Sequence, residues 1–236
     1  MTKKRVNQQR VLILSDLHFP FHNYQAVKQA LELGKENKVN TIILNGDTID
    51  FHAISRFVKN PKERNLQREI EETKLFLYSL RKQFPKAEII FKEGNHEARL
   101  TTYLWTRAEE FSDLPELSLQ SLLHFKPNGI RFSEKNEVLR LGKLSVIHGH
   151  EAGGICTVYP ARSLFLTANT DAIAGHCHRQ SSFVKRTIKG EIIKTYTTGC
   201  LCELKADFST HNDWMNGCAL VTVEGNGDFD VDLRTL

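Results

Sequence analysis

No run of apolar residues in this chain approaches the length of a membrane-spanning helix. The basic start, "MTKKRVNQQR", passes directly into strand-like "VLILSD". The apolar segment and small-residue cleavage site of a secretory leader are missing. Cytoplasmic residence with no membrane partner is the resulting expectation. Cysteine is scarce: five residues, Cys156, Cys177, Cys200, Cys202 and Cys218, an odd number without framework spacing. That excludes a disulfide scaffold and predicts small thiols in a reducing compartment. Cys200-x-Cys202 is too short and isolated for a zinc knuckle. An excess of either charge is also lacking. Thirty-two Lys and Arg face 28 Asp and Glu, a net charge of +4, which leans toward anionic substrates without forming a polyanion footprint. The densest basic run, Lys3-Lys4-Arg5, lies away from every motif described below. Internal repeats, low-complexity tracts and linkers rich in Pro, Gly or Ser are absent too. With 236 residues, 40% of them hydrophobic, the chain is expected to form a single domain over 1–236.

What is present alternates. "RVLILSD" (10–16) reads as a buried strand. Asn23 suits the cap of a helix with Tyr24, Val27, Leu31 and Gly34 on one face. "TIILNGD" (41–47) is a second buried strand. Leu66, Ile70, Thr73, Leu77, Leu80 and Phe84 then recur at helical spacing, with Pro85 just past the end. "AEIIFKEGN" (87–95) is a third strand. Strands apolar on both faces, separated by helices, predict a parallel α/β core. Residues 97–130 read as a partly helical insertion interrupted at Pro115, and the stretch 97–145 as a partial lid. Beyond 130 the pattern turns to short strands, "IRFS", "EVLRLG", "KLSVIHGH", "DAIAGH", "SSFVKRTIKG", "EIIKTYTTGCL" and "CALVTVEG", with a helix at "YPARSLFLTAN". Lys189-Gly190 marks a hairpin, and a second, more antiparallel sheet is expected. Trp105 and Trp214 are assigned to the core, Arg162 to a helix surface, and His52 to the site's rim or to solvent.

The strands end in the same kinds of residue. Asp16 and His18 close the first; Gly46-Asp47 and then Asp50 close the second; Gly94-Asn95-His96 closes the third. Later strands deliver His148-Gly149-His150 and Gly175-His176-Cys177-His178. In an open α/β sheet, strand carboxyl ends line one crevice, so these groups can converge. Carboxylates and imidazoles suit Mn²⁺, Fe or Zn²⁺. A bridging ligand must be a carboxylate or a water, because a neutral imidazole has one free lone pair. Glycines before Asp47, Asn95 and His176 permit sharp turns and close approach.

The ordered set "DLH" (16–18), "GDTID" (46–50), "GNHE" (94–97), "HGH" (148–150) and "GHCH" (175–178) resembles the signature of the calcineurin-like metallophosphoesterases. The resemblance runs from residue 11 to about 200. It implies an α/β fold, a four-layer α/β/β/α sandwich with two mixed β-sheets, around two divalent metal ions. Mn²⁺ is the first choice, with Fe, Zn²⁺ or Ni²⁺ as alternatives. Carried over by motif, Asp16, His18 and His178 would hold one metal, Asn95, His148 and His176 the other, and Asp47 would bridge them. His96 would stand at the leaving oxygen and Asp50 would orient it. Arg99 and His150 are substrate-binding candidates. The implied activity is a phosphatase or phosphodiesterase in which a metal-bridged hydroxide attacks the phosphorus of a small phosphate-ester substrate. A nuclease of nucleic-acid metabolism is the alternative. A non-catalytic scaffold of the same fold is the reading from another class, disfavoured because all the motif residues are intact.

Overall fold

A computed structural model describes residues 8–57, 62, 64–205 and 212–236; the Lys3-Lys4-Arg5 run falls outside them. The doubly apolar runs become strands β1 (Gln9–Leu14), β2 (Thr41–Asn45), β3 (Glu88–Lys92) and β4 (Ile130–Ser133), paired in parallel in that order. Helices α1 (Tyr24–Glu36) and α2 (Leu66–Gln83) make the crossovers between the first three. Asn23 caps α1, its side chain accepting from the Gln25 and Ala26 N–H groups, and so satisfies donors the helix cannot. Between β3 and β4 lie α3 (Ala98–Arg107) and the short α4 (Leu119–Leu122), with single turns of tighter helix at Glu109–Phe111 and Pro115–Leu117.

A second sheet contains β5 (Leu139–Leu141), β6 (Leu144–Val146), β7 (Ala172–Ala174), β8 (Gln180–Arg186) and β9 (Ile192–Thr198), in the order β5-β6-β7-β9-β8. Helix α5 (Pro160–Ala168) leads into β7. The chain then returns to the first sheet: β10 (Gly217–Val223) pairs antiparallel with β1, and β11 (Phe229–Thr235) with β10.

Alternation along the strands decides the layers. Leu12, Leu14, Ile42, Leu44, Ile89 and Phe91 pack with α1 and α2. Val11, Ile13, Ile43 and Ile90 point the other way, against Leu144, Val146 and Ile173 of the second sheet. Leu164 of α5 packs beneath Ala172 and Ala174. The sequence of layers is therefore helices, sheet, sheet, helix. Each fully buried Leu or Ile in these clusters contributes on the order of 1.5–3 kcal/mol by leaving water.

Some expectations need correction. Tyr24 is 66% exposed, because the buried stripe of α1 is Ala26, Val27, Ala30, Leu31 and Gly34. The third strand stops at Lys92, short of Asn95, so the polar residues that follow belong to a loop. The second sheet is mixed and, as expected, more antiparallel than the first: it has two antiparallel pairings, β5 with β6 and β8 with β9, and two parallel ones, β6 with β7 and β7 with β9. Trp105 is 69% exposed rather than in the core. Arg162 lies on the outside of α5, and Gly190 turns the β8–β9 hairpin at a φ of 88°.

Candidate metal centre

The carboxyl ends of β1, β2, β3, β6 and β7 deliver their polar residues to one place. Asp16 and Asp47 are both buried. Asp47 Oδ2 lies 3.2 Å from His148 Nε2, 3.7 Å from His96 Nε2 and 3.9 Å from His18 Nε2. Asp16 Oδ1 lies 3.3 Å from His178 Nε2. Asn95 Oδ1 is 3.2 Å from His148 Nε2, and the His176 ring stands 5.1 Å from that of His148. Asp47, His148 and His176 form one group that could hold a cation; His18, Asp47 and His96 form another.

The backbone is bent to achieve this. Asp16, His18, Asp47, His176 and His178 have φ values of 56°, 53°, 51°, 65° and 55°, in the left-handed region that residues with a Cβ seldom adopt. Two glycines are required by space. A Cβ on Gly46 would strike the His148 ring, and one on Gly94 would strike Asp47.

Hydrogen bonds set which nitrogen of each ring faces inward. His148 Nδ1 donates to the Asn45 carbonyl at 2.7 Å, and His18 Nδ1 to Asp50 Oδ1 at 2.8 Å, so each turns Nε2 toward the centre. Asp50 also meets His96 Nδ1 at 2.9 Å, so one carboxylate orients two rings. Arg99 donates from Nη1 to the Asp50 carbonyl at 2.8 Å and from Nη2 to His96 Nε2 at 2.9 Å. His52 is half-buried, with Nδ1 3.7 Å from Asp50 Oδ2.

Charges are strongly coupled here. Burial alone would raise the Asp47 pKa, but the imidazoles of His148 and His96 outweigh it and hold the carboxyl well below its ordinary range. Burial likewise opposes the charged form of His148, and Asp47 overcomes it, pushing the ring up to about 10. At His176 and His178 burial prevails, and both pKa values are lowered. For His96, burial is outweighed by Asp47 and Asp50, which raise its pKa, whereas the Arg99 bond to Nε2 requires the neutral ring. The proton of that neutral ring sits on Nδ1, beside Asp50.

A cation fits this donor set. Asp16 Oδ1 is buried without a hydrogen-bond partner. His18 Nε2 and His178 Nε2 approach to 3.2 Å beside it. Hard oxygens and imidazoles together are the donors that divalent transition metals select.

A sequence model of the calcineurin-like phosphoesterases matches residues 9–182. The chain belongs to the calcineurin-like phosphoesterase family. Members of this family depend on two metal ions. The gene 54 protein of Mycobacterium phage L5 is 28% identical over 253 residues, covering 95% of this chain and 97% of the relative. The gene 54 protein of phage D29 is 28% identical over 239 residues, covering 92% and 90%. Among solved structures, the phosphoesterase Yfce from E. coli is 15% identical with a TM-score of 0.46, covering 96% of this chain and 98% of Yfce. Vacuolar protein sorting 29 from Cryptosporidium parvum is 14% identical with a TM-score of 0.47, covering 97% and 98%.

Two residues of this family member, Glu97 and Lys92, receive no role from sequence. Glu97, 1% exposed, accepts four backbone N–H groups: those of Asp47 at 2.9 Å, Thr48 at 2.7 Å, Ile49 at 3.1 Å and Gly94 at 2.8 Å. It fastens the Asp47 loop to the Asn95 loop. Lys92, fully buried, donates to the carbonyls of Lys135 at 3.1 Å and Glu137 at 2.7 Å, and pairs with Glu151 Oε1 at 3.0 Å. Glu151 in turn accepts the His148 and Gly149 N–H groups. Trp214, half-buried rather than in the core, sets its ring 4.2 Å from that of His178. His150 is expected from sequence to contact substrate or to stand behind the metal ligands. Both its ring nitrogens are buried without hydrogen bonds, and its ring lies 5.4 Å from that of His148.

Proposed function

We propose that this protein is a dinuclear metal-dependent phosphoesterase that hydrolyses phosphate mono- or diesters of small substrates. The observation that carries the reading is the position of Asp47 Oδ2, within 3.9 Å of imidazole nitrogens from both donor sets. Asp16, His18 and His178 would hold one ion, Asn95, His148 and His176 the other, with Asp47 shared. Mn²⁺ is the proposed metal. When bound, two divalent cations would polarise the phosphoryl oxygens and acidify a water between them.

The remaining work falls to side chains. His96 is the acid for the leaving oxygen. In the geometry described it holds its proton at Nδ1, beside Asp50, while Nε2 accepts from Arg99. Protonating a leaving group through Nε2 therefore requires Arg99 to move off. A phosphate oxygen suits the released guanidinium, whose paired N–H groups match it. Arg99 and the leaving oxygen thus alternate at the same nitrogen. Once Arg99 has moved off, the ring takes a second proton from solvent at Nε2, Asp50 holds the imidazolium in place, and that Nε2 proton passes to the leaving oxygen, returning His96 to the neutral ring with its proton on Nδ1.

Steady-state kinetics with Mn²⁺ on aryl phosphate monoesters, aryl diesters and single-stranded DNA tests the reading. We expect metal-dependent turnover of the small esters and only weak, salt-sensitive action on DNA. If kcat/KM for single-stranded DNA at physiological salt exceeded that for every small ester tried, a nuclease would replace this assignment.

A further inference from the structure

Two imidazoles of the centre are anchored by strong acceptors at the nitrogen facing away from it, His18 by Asp50 and His148 by the Asn45 carbonyl. His178 has neither. Its Nδ1 lies 3.8 Å from Cys202 Sγ, a distance that an N–H···S bond spans. Cys202 is 4% exposed, and the neighbouring Cys200 Sγ is 3.5 Å from the Met215 carbonyl. Across the ring, His178 Nε2 faces Asp16 Oδ1 at 3.3 Å and His18 Nε2 at 3.2 Å. That carboxylate oxygen is buried and otherwise unpartnered. The ring therefore stands between a sulfur on one edge and converging donors on the other.

We infer that Cys202 is a positioning residue of the metal centre. Its sulfur accepts the Nδ1–H of His178, which leaves Nε2 bare and aimed at the cation shared with Asp16 and His18. The inference rests on the dinuclear reading above. Ligation by the sulfur itself is the competing arrangement, since Cys202 Sγ and one nitrogen from each of His18 and His178 lie within 4.8 Å of one another. The carboxylate decides between them. Asp16 Oδ1 is on the Nε2 side, and a cation drawn to Nδ1 would leave that oxygen alone. A thiol is a weaker acceptor than a carboxylate or a carbonyl. The half-site built on His178 is consequently the looser of the two.

Calorimetric Mn²⁺ titration with metal analysis of wild type, Cys202→Ala and Cys202→Ser tests this. In Cys202→Ala one ion should bind as in wild type, and the other about 10–100-fold more weakly. Cys202→Ser, which retains an acceptor, should recover much of the loss. Cobalt-loaded wild type should show no sulfur-to-cobalt charge-transfer band. In zinc-loaded wild type, long-range proton–nitrogen NMR should find the His178 proton on Nδ1; both spectra hold even if the alanine variant fails to fold. Two ions at wild-type affinity in Cys202→Ala would overturn the inference, as would a charge-transfer band or metal on Nδ1. Those results leave the dinuclear reading standing; wild type that binds neither ion overturns both.

Discussion

Asp47 and His96 stand 3.7 Å apart, yet the proposed mechanism gives them separable failures. Asp47→Asn should strip most bound metal together with activity, because it removes the negative charge of the shared ligand; retained metal and near-normal turnover would refute the ligand map. His96→Ala should keep metal near the wild-type level and slow esters with poor leaving groups most, since a stable leaving group needs little protonation. Plotting log kcat against leaving-group pKa for both proteins checks this: the variant's line should be steeper. Glu97 is a third kind of residue, far from solvent and touching only backbone. Glu97→Gln puts an amide N–H against N–H donors. It should cost about 1–3 kcal/mol for each N–H group left unpaired, measured by chemical denaturation.

At the scale of elements, the polar loops are tied by interactions that no local pattern reveals. The end of β3 holds the His148 loop through Lys92 and Glu151. Lys92→Met should destabilise the fold by about 3–5 kcal/mol, because it removes one partner of a buried pair, and should weaken metal binding through the displaced loop. Thermal melts and metal analysis together would show both. The strands and helices themselves were largely legible: doubly apolar runs gave β1, β2 and β3, and helical spacing gave α1 and α2. β11 alternates Phe229, Val231 and Leu233 with charged residues, but alternation does not say which sheet it joins. Its place beside β10 is a local hairpin, but that of β10 beside β1 depends on pairings across more than two hundred residues. The same limit governs the centre. Asp16, Asp47 and the histidines are legible because each follows a strand end. Lys92 inside an apolar run, Glu97 beside a catalytic candidate and Cys202 in an odd set of thiols acquire roles only through distant partners.

For the whole molecule, two buried carboxyl groups set opposite pH responses. Burial raises the Glu69 pKa to about 7, against the backbone N–H groups of Ala53 and His52. Its contribution to stability is complete below about pH 4.5 and is lost as pH rises through 7. At Asp50, burial is outweighed by the hydrogen bonds from His18 and His96, so the pKa falls, and its contribution is lost only in strong acid. Melting temperatures from pH 4.5 to 8 should decline with rising pH in wild type, and Glu69→Gln should lessen that decline, leaving the part due to Glu97, which burial also raises to about 7. Chelation should lower stability at every pH, by about 2.7 kcal/mol if the metal had been present at a hundredfold excess over its Kd. The left-handed backbone at Asp16, His18, Asp47, His176 and His178 has a consequence for descent. Each position costs roughly 1–2 kcal/mol that glycine would not incur. Selection for hydrolysis keeps those residues; selection for folding alone removes them. A lineage that abandons catalysis should therefore gain stability as it decays, drifting to glycine or asparagine first at these five positions, and later at Asn95 and His148, whose backbones carry no such strain.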